Sequence, residues 1–187
     1  RIAKKNNIKI VEDCAQAHGS KINNKHMGTF GDIGAFSFFP SKNLGCFGDG
    51  GAIITNNKKL DKICRRIKNH GSLHKHDHKI IGRNSRLDSI QASVLNVKLK
   101  YYEKALKIRI RNSSIYSKNF KKINELNLYN VPKNYRISYH QYVIRLSKNS
   151  DKLMKYLNKN NIETMVHYPK MLNELNIFKK YINKNQK

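Results

Sequence analysis

The sequence predicts an α/β fold: part of a mixed-sheet domain, joined by one long helix to a smaller α/β unit. Three observations carry that expectation. Short apolar runs, "IKIV" at 8–11, "AFSFF" at 35–39 and "GAIIT" at 51–55, are separated by polar or glycine-rich turns. A helical periodicity then runs from Asp88 toward Phe120. Beyond it, strand and helix patterns alternate again.

In chain order, the opening residues read as the end of a helix, so the sequence reads as a fragment with an upstream part missing. The run at 8–11 ends in Glu12–Asp13. It reads as a buried strand whose carboxyl end delivers a carboxylate to a crevice, where open α/β sheets bind ligands. Between the second and third runs, "GCFGDGG" places Gly45, Gly48, Gly50 and Gly51 where the backbone approaches closely or turns sharply. Leu60, Ile63, Cys64 and Ile67 recur at helical spacing over 58–69, and Gly71 ends that helix. Asp88 with Gln91 three residues on predicts a capping box, opening a helix through Ile90, Val94, Leu95, Leu99, Tyr102, Ala105 and Leu106. A polar stretch at 121–136 follows. From Tyr139 the reading is strand ("YHQYVIRL"), helix (151–160), strand ("ETMVHYP") and helix (172–183). Residues 1–110 are expected to be the remainder of a large domain and 111–187 a small C-terminal α/β domain.

Composition narrows the function classes. The chain has 38 Lys and Arg against 12 Asp and Glu, a formal charge of +26. That charge raises the alternative of a basic nucleic-acid-binding protein. The lysines are spread through Asn- and Ile-rich stretches rather than clustered with aromatics, so the expectation is a solvated basic surface and no nucleic-acid partner. No apolar run approaches the ~20 residues of a membrane span, and none is expected. Cys14, Cys46 and Cys64 are widely spaced and odd in number, against a disulfide framework or structural zinc, and suit a reducing cytoplasm. "HKHDH", with His74, His76, Asp77 and His78, lacks an apolar frame and reads as a solvated loop; no metal is expected. The glycines form neither a Walker loop nor a G-x-G-x-x-G fingerprint.

Lys42 stands out by its company. It follows an apolar run and precedes the glycine-rich turn, with Ser37 five residues back, and Asp13 and Gln16 upstream. These residue types suit pyridoxal 5′-phosphate. An aldehyde needs a primary amine for its Schiff base. A protonated pyridine nitrogen needs a carboxylate such as Asp13, since an opposite charge within ~4–6 Å favours the charged form by ~1–3 pK units. Ser37 and the turn around it offer donors to a phosphate, and Gln16 one to the ring's 3-oxygen. His18 sits either near the cofactor or in the core as a hydrogen-bonded residue. His140 reads as packing in a half-buried strand, and Glu12 as a structural carboxylate.

The motifs "VEDCAQAHGS", "GTFGDIGAFSFFPSKNLGCFGDGGAIIT", "NHGS", "IGRNSRLDSIQASVLNVKL", "SYHQYVIR" and "VHYP" extend from about residue 2 to Pro169. They resemble the sugar aminotransferases of the DegT/DnrJ/EryC1/StrS group, which are fold-type-I, pyridoxal-phosphate enzymes. The resemblance implies that Lys42 is the Schiff-base lysine, Asp13 the partner of the ring nitrogen, Gln16 the 3-oxygen contact and Ser37 a phosphate ligand. It implies that Asn84 reaches the phosphate of a neighbouring subunit's cofactor, so that a homodimer shares its sites, and that Arg86 approaches the neighbour's substrate. His167 and Tyr168 would line the sugar pocket. Some relatives carry histidine at the lysine position and dehydrate; Lys42 therefore favours transamination. The implied reaction moves an amino group from glutamate to a keto-sugar nucleotide, with a lean toward a 3-keto sugar, for surface-glycan or amino-sugar synthesis. Asn173 stands where the group usually has histidine, and Arg83 where an aromatic or small residue is usual. The group's upstream half carries further cofactor contacts, so this chain by itself is expected to be inactive. A catalytically inactive sugar-nucleotide-binding relative is a second alternative.

Overall fold

The structure is a computed structural model and describes residues 2–181. The described chain divides into two compact units, the first ending at Ile144. Helix α3, Ser89–Phe120, runs through residue 110 without a break.

The first unit opens with helix α1 (Ile2–Lys5), followed by strands β1 (Val11–Asp13), β2 (Lys21–Ile22), β3 (Lys25–His26), β4 (Ile33–Ser37) and β5 (Gly51–Ile54). A mixed sheet has the order β1-β4-β5. Strand β1 runs parallel to β4, with Asp13 opposite Ala35, and β4 runs antiparallel to β5, with Ser37 opposite Gly51. The first strand is displaced from its expected position. Pairing begins at Val11 and takes in the acidic pair, and Val11 is 66% exposed rather than buried. Next along the strand stands Glu12. Its carboxylate accepts the backbone N–H groups of Gly28 (2.7 Å), Phe30 (2.7 Å) and Gly31 (2.6 Å), which locks the 28–31 turn onto the strand. Beneath that turn, a Cβ on Gly34 would lie 2.6 Å from Gly28 Cα, so β4 can pass only without a side chain there.

Strands β2 and β3 form a hairpin that the sequence reading lacked. Its turn residues Asn23 and Asn24 have φ of 48° and 62°, the left-handed pair that a tight hairpin needs and that asparagine tolerates. Helix α2 (Lys58–Lys68) matches its expectation. Asn57 caps it by accepting the N–H groups of Lys59 and Leu60, and Gly71, at φ 83°, follows its end.

Helix α3 has 32 residues, about 48 Å of rigid rod. The predicted capping box is absent. Asp88 makes no side-chain cap bond, and Gln91 Oε1 instead accepts the N–H of Phe47 at 2.8 Å. The helix braces two turns of the sheet at once. Tyr102 donates its hydroxyl to His18 O (2.6 Å), and Lys98 donates its amine to Gly45 O (2.6 Å). Burial is the main reason the Tyr102 phenol is pushed up to about 12, so it stays a donor. Leu95 and Leu106 of this helix are buried, as are Cys14 and Cys46.

The 121–136 stretch is not featureless. It holds β6 (Leu126–Leu128) and β7 (Tyr135–Arg136), and β7 pairs antiparallel with β2. The strand expected over 139–146 shrinks to β8 (Ile144–Leu146), because Tyr139 turns the chain at φ 46°. Tyr142 packs instead against Tyr116 and Phe120 of α3.

Beyond the unit boundary, helix α4 (Ser150–Lys159) agrees with the reading of 151–160. No strand forms over 163–169 among the described residues, and Met165 and Tyr168 are exposed. The expected last helix is two 3-10 turns, Leu172–Glu174 and Asn176–Tyr181; residues 182 and 183 lie outside the described part. No described helix is long and apolar enough to cross a membrane.

Candidate active site

Because β1 and β4 are parallel neighbours, their carboxyl ends open at the same edge of the sheet. Asp13 ends β1, and its Oδ1 accepts the N–H of Ala15 (3.0 Å), turning the chain so that Gln16 follows alongside. Both line a hollow of about 240 Å³, together with Ala17, Ser20 and residues of the segment 137–143, including Ser138, Tyr139, His140 and Gln141.

Ser37 ends β4. Its Oγ accepts the N–H of Phe39 (3.2 Å), which leaves its hydroxyl proton to donate elsewhere. The chain then folds back: Lys42 N–H donates to Phe39 O (2.9 Å) and Cys46 N–H to Phe38 O (2.8 Å). Lys42 therefore rides on a closed turn at the edge where Asp13 emerges. A Cβ on Gly45 would meet Pro40 O at 2.5 Å, so that turn needs glycine. Asn43 joins the turn to the wall of the hollow, donating from Nδ2 to Ser138 O at 3.0 Å.

His18 is buried between these turns, with its ring against Phe36 (5.2 Å) and Phe38 (5.9 Å). It is in the core yet not hydrogen-bonded: neither ring nitrogen has such a partner among the described residues. Burial chiefly, then the charges of Lys42 and His140, lower its pKa, so the ring is neutral at about pH 7. A histidine that resists protonation when folded binds fewer protons than the unfolded chain once pH falls below its unfolded value of about 6.5. Stability contributed by its neutral form is therefore present above that value and lost on acidification. Urea melts of the full-length protein should show His18→Phe losing less stability than the wild type between about pH 6.5 and 5.5, above the range where most carboxylates titrate.

The other expected site residues lie elsewhere. Asn84 pairs through its backbone with Asn69, and Arg86 Nη1 donates to Asn69 Oδ1 (3.2 Å); both are exposed and neither lines the hollow. Arg83 is held by its backbone to Ile67 and His70. In the second unit His167 and Tyr168 are exposed, with ring centroids 4.9 Å apart. The "HKHDH" loop is internally paired: Asp77 bridges Lys79 at 2.7 Å, and His78 Nδ1 bonds His70 O at 2.8 Å. The sequence reading missed Asn43, Ser20 and Ser138, and it took His140 for strand packing. The "YHQY" motif was the available signal, and only the turn at Tyr139 shows that it forms a wall.

Solved sugar aminotransferases share this fold. A DegT/DnrJ/EryC1/StrS aminotransferase from Brucella abortus superposes with a TM-score of 0.90 at 37% identity, covering 95% of this chain and 47% of that one. The S. venezuelae protein DesV, solved in complex with a ketimine intermediate, gives a TM-score of 0.93 at 32% identity over 98% of this chain and 49% of that one. By fold, then, the chain matches about half of a fold-type-I, pyridoxal-phosphate-dependent sugar aminotransferase. It belongs to the DegT/DnrJ/EryC1/StrS aminotransferase family, whose model matches residues 1–187. Among curated relatives, a UDP-N-acetyl-3-dehydro-alpha-D-glucosamine 3-aminotransferase of Acidithiobacillus ferrooxidans is 38% identical over 168 residues, 90% of this chain and 45% of that protein. A UDP-2-acetamido-2-deoxy-3-oxo-D-glucuronate aminotransferase of Pseudomonas aeruginosa is 36% identical over 173 residues, 92% of this chain and 48% of that protein. The chain spans about half the length of the curated relatives it matches.

The residues present fit the family's cofactor by their chemistry. A carboxylate with one oxygen still to be used and a carboxamide line the hollow, while a hydroxyl ends the neighbouring parallel strand and a lysine stands on the turn that follows it.

Proposed function

We propose that the full-length protein transfers an amino group from glutamate to a keto-sugar nucleotide, with pyridoxal 5′-phosphate as cofactor. The observation that carries this reading is the pairing of β1 with β4. It brings Asp13 and Ser37 out at one edge, with the Lys42 turn tied to the hollow that Asp13 and Gln16 line. When bound, the cofactor supplies an electron-accepting ring. Lys42 anchors it through its amine and, once released, moves a proton to and from the substrate carbon as general base and acid. Asp13 holds the proton on the ring nitrogen, Gln16 bonds the 3-oxygen and Ser37 donates to the phosphate.

Asn84 and Arg86 are exposed and away from the hollow, which supports a homodimer in which they serve the neighbouring subunit's site. Arg86 suits an anionic group of the neighbour's substrate. His167 and Tyr168 contact the sugar. A 3-keto sugar is favoured because two relatives are named for 3-keto substrates. The product feeds amino-sugar or surface-glycan synthesis in the cytoplasm, and the division into a large and a small domain near residue 110 belongs to the complete enzyme. The test is to incubate the full-length protein with glutamate and a panel of keto-sugar nucleotides and read product mass. A gain of an amino group on a 3-keto substrate is expected; no gain on any member overturns the transaminase reading.

A further inference from the structure

A hydrogen-bond chain links the two turns that carry the proposed chemistry. It starts at Asn43, beside Lys42, whose Nδ2 donates to Ser138 O at 3.0 Å across 95 positions of sequence. Ser138 is 1% exposed. Its N–H donates to Ser20 Oγ (3.0 Å), and its own Oγ receives the Ser20 hydroxyl (3.0 Å) and reaches Gln16 O (3.3 Å). The chain thus ends on the turn that follows Asp13. The other bonds on the Lys42 turn run to Phe38 and Phe39, just beyond β4, and to α3: Cys46 N–H to Phe38 O, Lys42 N–H to Phe39 O, and Lys98 to Gly45 O. Among these bonds, only Asn43 spans from Lys42 to the hollow's wall. It does so at a cost, for Asn43 Oδ1 is buried with no hydrogen-bond partner among the described residues. An alanine would avoid that desolvation penalty. The carboxamide makes one bond there, the one to Ser138 O.

We propose that Asn43 is a positioning residue, which sets the place of the Lys42 amine relative to Asp13 and Gln16 through Ser138. The inference rests on the roles proposed above for Lys42 and Asp13. Its mechanism is geometric: a displacement of about 1 Å at a reacting group can cost ~100-fold in rate without loss of binding. The bond reaches the Lys42 turn directly, whereas Gln16 meets the chain only through its backbone carbonyl.

The test uses the full-length protein, stripped of cofactor, with Asn43→Ala and with Asn43→Asp, which keeps the shape but cannot donate when ionised. Two readouts separate positioning from simple support. The first is the rate at which Lys42 captures added pyridoxal phosphate, followed by the lysine-bound absorbance band and by borohydride fixation. The second is the dissociation constant for unattached pyridoxal phosphate, measured with Lys42→Ala present in each background. Capture and kcat are expected to fall ~30–100-fold, with the dissociation constant and the sugar-nucleotide KM within ~threefold of wild type. Should Asn43→Ala fail to fold, the Asn43→Asp readings decide. Capture within ~threefold of wild type overturns the inference, as does a loss of affinity that matches the loss of rate. A wild-type protein that never attaches the cofactor overturns the proposed function beneath it, and the inference with it.

Discussion

Replacing Lys42 with alanine in the full-length protein should lower amino transfer by at least ~10⁴-fold, because nucleophile and proton carrier are lost together. Lys98, which touches the same turn, spends its ammonium on Gly45 O at 2.6 Å and lies over the Phe47 ring at 5.1 Å. Lys42→Arg should fail as completely, since it keeps the charge but has no primary amine. The two variants part company at His18. Lys42's charge is one cause of the depressed His18 pKa, after burial. Alanine should therefore let the His18 pKa rise toward its ordinary value in the cofactor-free protein, whereas arginine should not. NMR titration of the His18 ring measures this, and kinetics with a keto-sugar nucleotide measures the first effect. Retention of more than ~1% of turnover by Lys42→Ala would remove Lys42 from the chemistry.

What could be read in advance follows the range of the interactions involved. Helices α2 and α3 and strand β5 were legible because their signals are local: apolar spacing for the helices, a glycine after the end of α2, and a short apolar run for the strand. Asp13, Gln16, Ser37 and Lys42 were legible as candidates because their residue types suit one cofactor and because they fall in long, ordered motifs. Strands β2, β3 and β7 have two residues each, too few to show a period, and only Asn23–Asn24 marked the hairpin. The capping box failed for a tertiary reason, since Gln91 found a better donor in Phe47. The same holds for the 139–143 segment, whose aromatic residues suit a strand until Tyr139 turns and Ser138 is claimed by Ser20 and Asn43. Contacts between residues so far apart in sequence leave no local trace.

Adjacent acids Glu12 and Asp13 should fail in opposite ways when neutralised, although they differ by one position on one strand. In β1 their side chains point to opposite faces. Glu12 faces the 28–31 turn and satisfies three backbone N–H donors with its two oxygens. Glutamine has only one acceptor oxygen, and its amide would set N–H against N–H at the other site. Glu12→Gln should therefore cost about 2–4 kcal/mol of stability, the price of leaving partly buried donors unmet. Asp13 gives one oxygen to Ala15 N–H, and asparagine can keep that bond. Asp13→Asn should thus melt close to wild type, yet it loses the negative charge that keeps a ring nitrogen protonated, a loss of ~1–3 pK units. At a factor of ten per unit, turnover should drop by ~10–1,000-fold. Urea unfolding and steady-state kinetics on the same two preparations separate the effects. If Asp13→Asn proves the less stable of the two and Glu12→Gln the slower, the carboxylate at the sheet edge is structural and Asp13 is not the partner of the cofactor ring.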